Sequence, residues 1–525
     1  MKYLNKIVLS AAALMIPFAA CDTDTLQEYN LNPQALNEVN MNFVFNGVLL
    51  DAATNGMSGD NWYLNGRTNL GYMSYFIQQM ATTGIGLNYA GDKYVDNEEG
   101  WTAPWDFWYG SMVKNMRAIF KETGPGGFEE GRRKNTVAAT KILWVLTFHR
   151  LTDFYGNVPY TEAGLGTAGV FFPKYDRQRD IYLDLLQKLE EAANELSASN
   201  PDDGFAGTDF VYNGDLAKWR KFAYSLMLRL AMRMSNVDAA TAGAWVTKAI
   251  QGGTMTSNDD NFVVNFQLGP SIWVNQNGLS RQFIDGSHER TLSKTLVDFL
   301  KGANPNDAAD DDPRLFIFSD GFDGNTNPLD QKGMPNGLDQ GQLDELMGGQ
   351  TIARETFSQI HVKLLDLDEP YVVMNAAESY FLKAEALVRG IGSGISGTAQ
   401  SNYEEGVLSS MTMWDVHDES FEVSPAQVAA YLALNPYDPA KGLEMIYTQL
   451  WASKFMNWWE AWADWRRTGH PVLVPTSHPS SATPGVIPRR LRYPIRESAT
   501  NQDNLQAGGS LPDSPEQRVW WDGGN

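Results

Sequence analysis

The sequence predicts a mainly α-helical fold, one elongated body of packed helices carrying long irregular loops. Three observations lead there. Apolar residues recur at helical spacing over long stretches, whereas strand-like alternation is confined to short segments such as "NFVVNF". The 525 residues exceed one ordinary hydrophobic core. Yet no Pro/Gly/Ser-rich linker divides the chain into independent domains.

In chain order, residues 1–20 read as a secretory signal. Lys2 and Lys6 form a basic start, and Ile7 to Phe18 form an apolar stretch too short to span a bilayer permanently. The stretch ends "FAAC", which resembles a bacterial lipobox and makes Cys21 the lipidated first residue of the mature chain. Cys21 is the only cysteine, so no internal disulfide can form and the core alone must hold the fold. The polar stretch "DTDTLQEYNLNPQAL" after it reads as a tether, residues 21–40, before a single helical domain over 41–525.

Removing residues 1–20 takes Lys2 and Lys6 from the 41 basic residues and no acids, leaving 39 against 63, a formal charge of −24. Such a chain repels nucleic acid and anionic membrane surfaces. No later apolar run reaches about 18 residues, so membrane contact is expected through the lipid only.

Helical periodicity covers residues 105–121, 132–155, 176–197, 215–235, 371–390 and 441–468. In "GDLAKWRKFAYSLMLRLAMRMS", Leu216, Trp219, Phe222, Ala223, Leu226, Met227 and Leu230 share one face; the basic residues, mostly off it, read as a solvated face or as internal ion-pair partners. "NAAESYFLKAEALVRG" mixes small and large side chains in the way that lets helices pack closely. Such paired helices resemble tetratricopeptide units, although no clean 34-residue period is visible. Near the end, Trp458, Trp462 and Trp465 recur at i, i+4 and i+7 in line with Leu450, Trp451 and Phe455. That stripe reads as core rather than as a ligand platform. Gly469 and Pro471 end its helix after Arg466 and Arg467.

Six segments in order, "LTDFYGNVPYTEA" (151–163), "GDLAKWRKFAYSLMLRLAMR" (214–233), "DDPRL" (311–315), "NAAESYFLKAEAL" (375–387), "EAWADWRRTGHP" (460–471) and "IPRRLRYPIRE" (487–497), resemble the SusD/RagB family of outer-membrane nutrient-binding lipoproteins, and more closely its SusD-like, starch-binding-associated branch. The resemblance implies an α-superhelix of tetratricopeptide-like helix pairs whose irregular loops form a ligand-binding face. It also implies a partner, a SusC-type TonB-dependent β-barrel transporter that the protein covers as a lid, and a lipid-anchored, surface-exposed place on the outer membrane. Asp22 and Asp24 are similar to the acidic signal that sends such lipoproteins to the cell surface. One departure is Tyr224, where the family pattern has asparagine. The family's ligand residues do not lie in these motifs, so none is carried over.

A sugar site combines aromatic faces with amide, carboxylate and guanidinium groups on loops. Two loops qualify. "TTGIGLNYAGDKYVDNEEGWTAPW" offers Tyr89, Tyr94 and Trp101 beside Asn88, Asp92, Asp96 and Asn97, and reads equally as a surface loop with a buried tryptophan. "FQLGPSIWVNQNGLSRQFIDG" sets Trp273 among Asn275, Gln276, Asn277 and Arg281; no helical or strand period explains that tryptophan, and ligand contact and packing stay open. Trp62 is a third, weaker candidate, while Trp520 and Trp521 read as docking the tail.

No catalytic constellation is visible. The acids are too many to indicate a pair, the six histidines show no metal-ligand spacing, and His149 reads as a core residue. "DGFDGNTNPLD" (320–330) has oxygen ligands suited to calcium but not the EF-hand spacing, and reads as a solvated acidic loop. No cofactor or metal is expected. The function expected is therefore non-enzymatic capture of an oligosaccharide for the transporter. An oligopeptide ligand, a glycoside hydrolase and a helical-repeat scaffold that binds only proteins are the rival readings.

Overall fold

The computed structural model describes residues 39–53, 64–201, 203–269, 276–284 and 289–524, the side chains of Leu87 and Asn88 excepted. Residues 1–20, read in the sequence as a signal, and Cys21, Asp22, Asp24, Trp62, Trp273 and Asn275 lie outside the described residues. From Met41 onward the chain forms one compact unit.

Helices dominate. The main ones are α1 (Met41–Ala52), α2 (Lys114–Thr123), α3 (Lys134–Tyr155), α4 (Gln178–Glu195), α5 (Leu216–Arg233), α6 (Ala239–Gly252), α7 (Ala376–Arg389), α8 (Ala399–Thr412), α9 (Gly442–Ala452) and α10 (Trp458–Thr468). Consecutive helices pack as hairpins, α3 on α4, α5 on α6 and α7 on α8. Neighbouring hairpins then join through α4 against α5 and α5 against α7, with α9 and α10 following. This is the expected superhelix of tetratricopeptide-like pairs. Caps fix its starts: Asp215 accepts the N–H groups of Ala217 and Lys218, and Asn375 accepts that of Glu378.

Strands are short: β1 (Val158–Pro159), β2 (Tyr175–Asp176), β3 (Phe262–Val264), β4 (Ser319–Gly321), β5 (Gln359–Ile360) and β6 (Tyr371–Met374). They pair antiparallel as β1 with β2, β3 with β6 and β4 with β5. Two predicted helices are shorter than expected. The stretch 371–390 begins as β6, whose Val372 and Val373 favour extended backbone, and turns helical only after Asn375. The stretch 441–468 breaks between α9 and α10, where Met456 takes a left-handed φ of 70°. The segment 105–121 is likewise composite. A helix over Glu98–Phe107 passes through a π-type turn over Trp108–Val113 before α2.

The tryptophan stripe is core despite that break. Trp458, Trp459 and Trp462 are buried, Trp465 nearly so, and the Trp462 Nε1 donates to the carbonyl of Pro488 at 3.0 Å. Tyr224 lies against Gly252, where a Cβ would stand 2.3 Å from the tyrosine ring, so the family departure is a matter of packing between α5 and α6.

The recognised motifs meet inside the superhelix. Arg229 holds Glu378, Arg233 bridges Asp153, Glu460 and Asp464, Arg150 reaches Glu460 at 3.0 Å, and Lys454 pairs with Asp464. Trp521 Nε1 donates to Asp153 at 2.7 Å and docks the tail. Isolated charges here would cost several kcal/mol each, so the cations and carboxylates must be matched. Burial alone pushes the Glu460 carboxyl up, but Arg229, Arg233 and Arg150 hold it well below the usual carboxylate range. His149 sits among them with its pKa lowered by burial, 3.5 Å from Asp153 and 3.6 Å from Glu460.

Candidate functional site: the loop face around Tyr89

The loop after Ala81 is built on a buried ion pair. Asp92 and Lys93 are fully buried and 2.8 Å apart. The Asp92 carboxylate also accepts from Asn336 Nδ2 at 2.6 Å and from the Gly337 N–H at 2.7 Å, while Lys93 Nζ donates to the carbonyl of Thr82 at 2.6 Å. Residues 82, 92–93 and 336–337 are thereby fixed to one another, a rigid base that a binding loop requires. Above it the 3-10 helix Leu87–Lys93 ends at Tyr94, whose φ is 53°.

Tyr89 lies on this helix, half-buried, with its ring over Gly84. A Cβ at Gly84 would stand 2.7 Å from the ring, so only glycine lets the ring lie against that backbone. Thr82 Oγ1 accepts the Gly84 N–H at 3.0 Å and donates to Glu289 at 2.8 Å, and Glu289 pairs with Arg354. The Arg354 side chain is 44% exposed and that of Glu289 only 5%. Burial raises the Glu289 carboxyl, with Thr82 and Arg354 opposing. Burial likewise raises the Tyr89 hydroxyl; Glu289 adds to the shift and Arg354 opposes it, so the ring shares their electrostatic environment. Beneath them the buried Tyr75 hydroxyl has no hydrogen-bond partner among the described residues, and its pKa is raised by burial and then by Glu289 and Asp92. Thr83 Oγ1 donates to Gln340 at 3.3 Å and adds an amide to the rim.

Of the two loops singled out in the sequence, the first is held through Thr82 by Glu289, which lies beyond the end of the second, and not by the residues expected. Tyr94 and Trp101 are each 1% exposed. The Tyr94 ring packs edge-on against Phe76 at 5.7 Å, and Trp101 against Tyr72 at 5.3 Å. Their faces are filled by protein, which withdraws both from ligand stacking. Arg281 is nearly buried on the short helix Gly278–Ile284 and pairs with Gln276, while Asn277 caps that helix and donates to the carbonyl of Glu369 at 2.9 Å. Arg281 therefore braces its own segment. Asp96 pairs with Arg492, and Asn97 caps the helix Glu98–Phe107. Glu289 and Arg354 escaped the sequence reading, since neither belongs to a motif and Arg354 is far from Tyr89 in the chain.

An exposed aromatic edge, a guanidinium, amides and hydroxyls on a rigid base suit a polyhydroxylated ligand. Among the described residues no group of histidine, cysteine or acidic side chains could hold a metal ion, and no helix is long and apolar enough to cross a membrane.

The fold and this face define a helical-repeat binding protein, and comparison with known proteins supplies its family. Residues 33–494 match the SusD-like family model described as "Starch-binding associating with outer membrane", and the chain belongs to that family. A solved structure titled chitin-binding protein is 33% identical, with 92% of this chain and all of that chain covered and a TM-score of 0.78. A chitin-binding SusD homolog from Flavobacterium johnsoniae is 26% identical over 92% of this chain and 98% of its own, with a TM-score of 0.73. A Bacteroidetes SusD-like protein at 24% identity shares the fold, with a TM-score of 0.74 over 92% of this chain and all of its own. No curated protein matches the chain.

Proposed function

We propose that this protein is a non-enzymatic glycan-binding lipoprotein of the outer membrane. It captures an oligosaccharide on the loop face around Tyr89 and passes it to a SusC-type TonB-dependent transporter. The observation that carries the reading is the Tyr89 ring seated on Gly84 beside the Arg354–Glu289 pair, an aromatic platform with hydrogen-bonding groups at its edge. The two chitin-binding relatives support oligomers of N-acetylglucosamine as the ligand class: amphipathic sugar faces for the ring, hydroxyls and amides for Arg354, Thr83 and Gln340. Cys21, lipidated after removal of residues 1–20, anchors the domain through the tether 21–40.

Thermal-shift screening against a glycan panel tests the ligand class. A chitin oligomer at 100 times its Kd stabilises the fold by about 2.7 kcal/mol. Stabilisation by peptides and by no glycan overturns the reading. For the anchor, Cys21→Ser moves the folded protein from the outer-membrane fraction to the soluble fraction; a variant that stays with the membrane contradicts it.

A further inference from the structure

A second feature lies on the helical body. Helix α3 presents Lys134, Val137, Lys141 and Trp144 on one face, at spacings of three, four and three residues. α2 and α4 flank that face without covering it. Two adjoining cavities of about 440 and 500 Å³ result, sharing Phe120 and Lys141 in their linings. Together they form one trough. From Lys134 to Trp144 the helix rises roughly 15 Å, the length of four or five residues of extended chain at about 3.3 Å each.

The trough is apolar inside and charged at its mouth. Phe120 from α2 stands 5.8 Å from the Trp144 ring, Ile181 comes from α4, and the Arg117 guanidinium caps Trp144 at 4.6 Å. At the end near Trp144 the charges are spent locally: Lys188 lies 3.3 Å from Asp184, and Asp176 accepts the N–H groups of Tyr160 and Thr161. The opposite end is different. Lys141 is neutralised by Glu195 at 2.6 Å, but Arg132 and Lys134 are exposed and make no ion pair among the described residues. In a chain of net charge −22, an uncompensated basic pair at the mouth of an apolar trough favours an anionic, partly apolar occupant.

We propose that this trough docks an extended segment of a partner protein, a large apolar side chain entering between Phe120 and Trp144 and acidic side chains meeting Arg132 and Lys134. The volume and the apolar walls suit a large side chain, and the trough's length suits the backbone of a short strand-like segment. The site is separate in composition from the face around Tyr89 and does not rest on the glycan reading.

The test is fluorescence anisotropy with the full mature protein in detergent and two labelled heptapeptides, Glu-Glu-Leu-Trp-Leu-Gly-Gly and the same peptide with lysines for the glutamates. The acidic probe binds, the lysine probe does not, and Arg132→Glu with Lys134→Glu weakens the acidic probe by about tenfold. Phe120→Ala also weakens it. Both charged positions are solvent-exposed, so the double variant folds, and an unchanged melting temperature and circular-dichroism spectrum verify this independently of any ligand. The proposal is overturned if the acidic probe fails to bind at millimolar concentration, if both probes bind alike, or if charge reversal leaves its affinity unchanged. Displacement of the bound probe by a uronic-acid oligosaccharide also overturns it, by showing an anionic sugar site in place of a peptide groove.

Discussion

The guanidinium of Arg229 grips the carboxylate of Glu378 through two hydrogen bonds, Nε at 2.6 Å and Nη2 at 2.7 Å, and so ties α5 to α7. Both side chains are buried, and Lys454 adds a third contact at 3.2 Å. Deleting Arg229 leaves the desolvated Glu378 carboxylate with Lys454 alone, and deleting Glu378 leaves the Arg229 guanidinium with Glu460 at 3.3 Å. Arg229→Met is expected to destabilise by about 3–5 kcal/mol, and the double variant with Glu378→Met by less than the sum of the two single changes. Denaturant unfolding of the four proteins checks this.

The same network sets the acid limit. Burial pushes Asp464 up, but Lys454 and Arg233 bring it down to about 2, and Glu460 and Glu378 are also held low. Folded-state values below the unfolded ones give stability that is complete above about pH 5 and is lost as pH falls toward 2. Asp51 has the opposite sign. Burial raises it to about 7 although Ser111 donates to it at 2.6 Å, so its contribution is full below the unfolded value and is lost as pH rises through 7. Asp51→Asn therefore raises the melting temperature at pH 8 and leaves it unchanged at pH 4. Equal shifts at both values would contradict the burial of that carboxyl.

Trp101→Ala and Trp462→Ala each remove a fully buried indole and are expected to cost about 3–5 kcal/mol. For Trp101 this reverses the sequence-based expectation of a ligand contact. Calorimetric melting decides it: a normal melting temperature with lost glycan binding would return Trp101 to the site.

How far the sequence reached is clear from these residues. The helices were legible because their periodicity is long, and the motifs were legible because Asp153, Arg229, Glu378, Glu460 and Asp464 form one buried set that few sequences could satisfy. The breaks were not, since Met456 takes its left-handed conformation and Val372 its strand pairing from tertiary contacts. The candidate site was half legible. Glycine and aromatic residues marked the loop that carries Tyr89, but composition alone does not separate Tyr89, half-exposed, from Tyr94, five residues on and buried against Phe76. Arg354 and Glu289 join it only through the folded chain.

Gly84→Ala would force the Tyr89 ring off its seat, because the new Cβ would lie 2.7 Å from Cδ2. Affinity for chitin oligomers is expected to fall several-fold with a small change in melting temperature. Unaltered affinity would mean that ligand does not use the ring in this position.

The most direct measurement is calorimetric titration of chitohexaose into the wild-type protein, Tyr89→Ala and Arg354→Ala. Saturable binding to the wild type is predicted, weakened about fivefold to tenfold by Tyr89→Ala as a stacked ring worth roughly 0.5 to 1.5 kcal/mol beyond its area is lost, and weakened also by Arg354→Ala, with all three proteins melting alike. Wild-type affinity in both variants, or no heat with chitohexaose or any other glycan, would contradict a glycan site on this face.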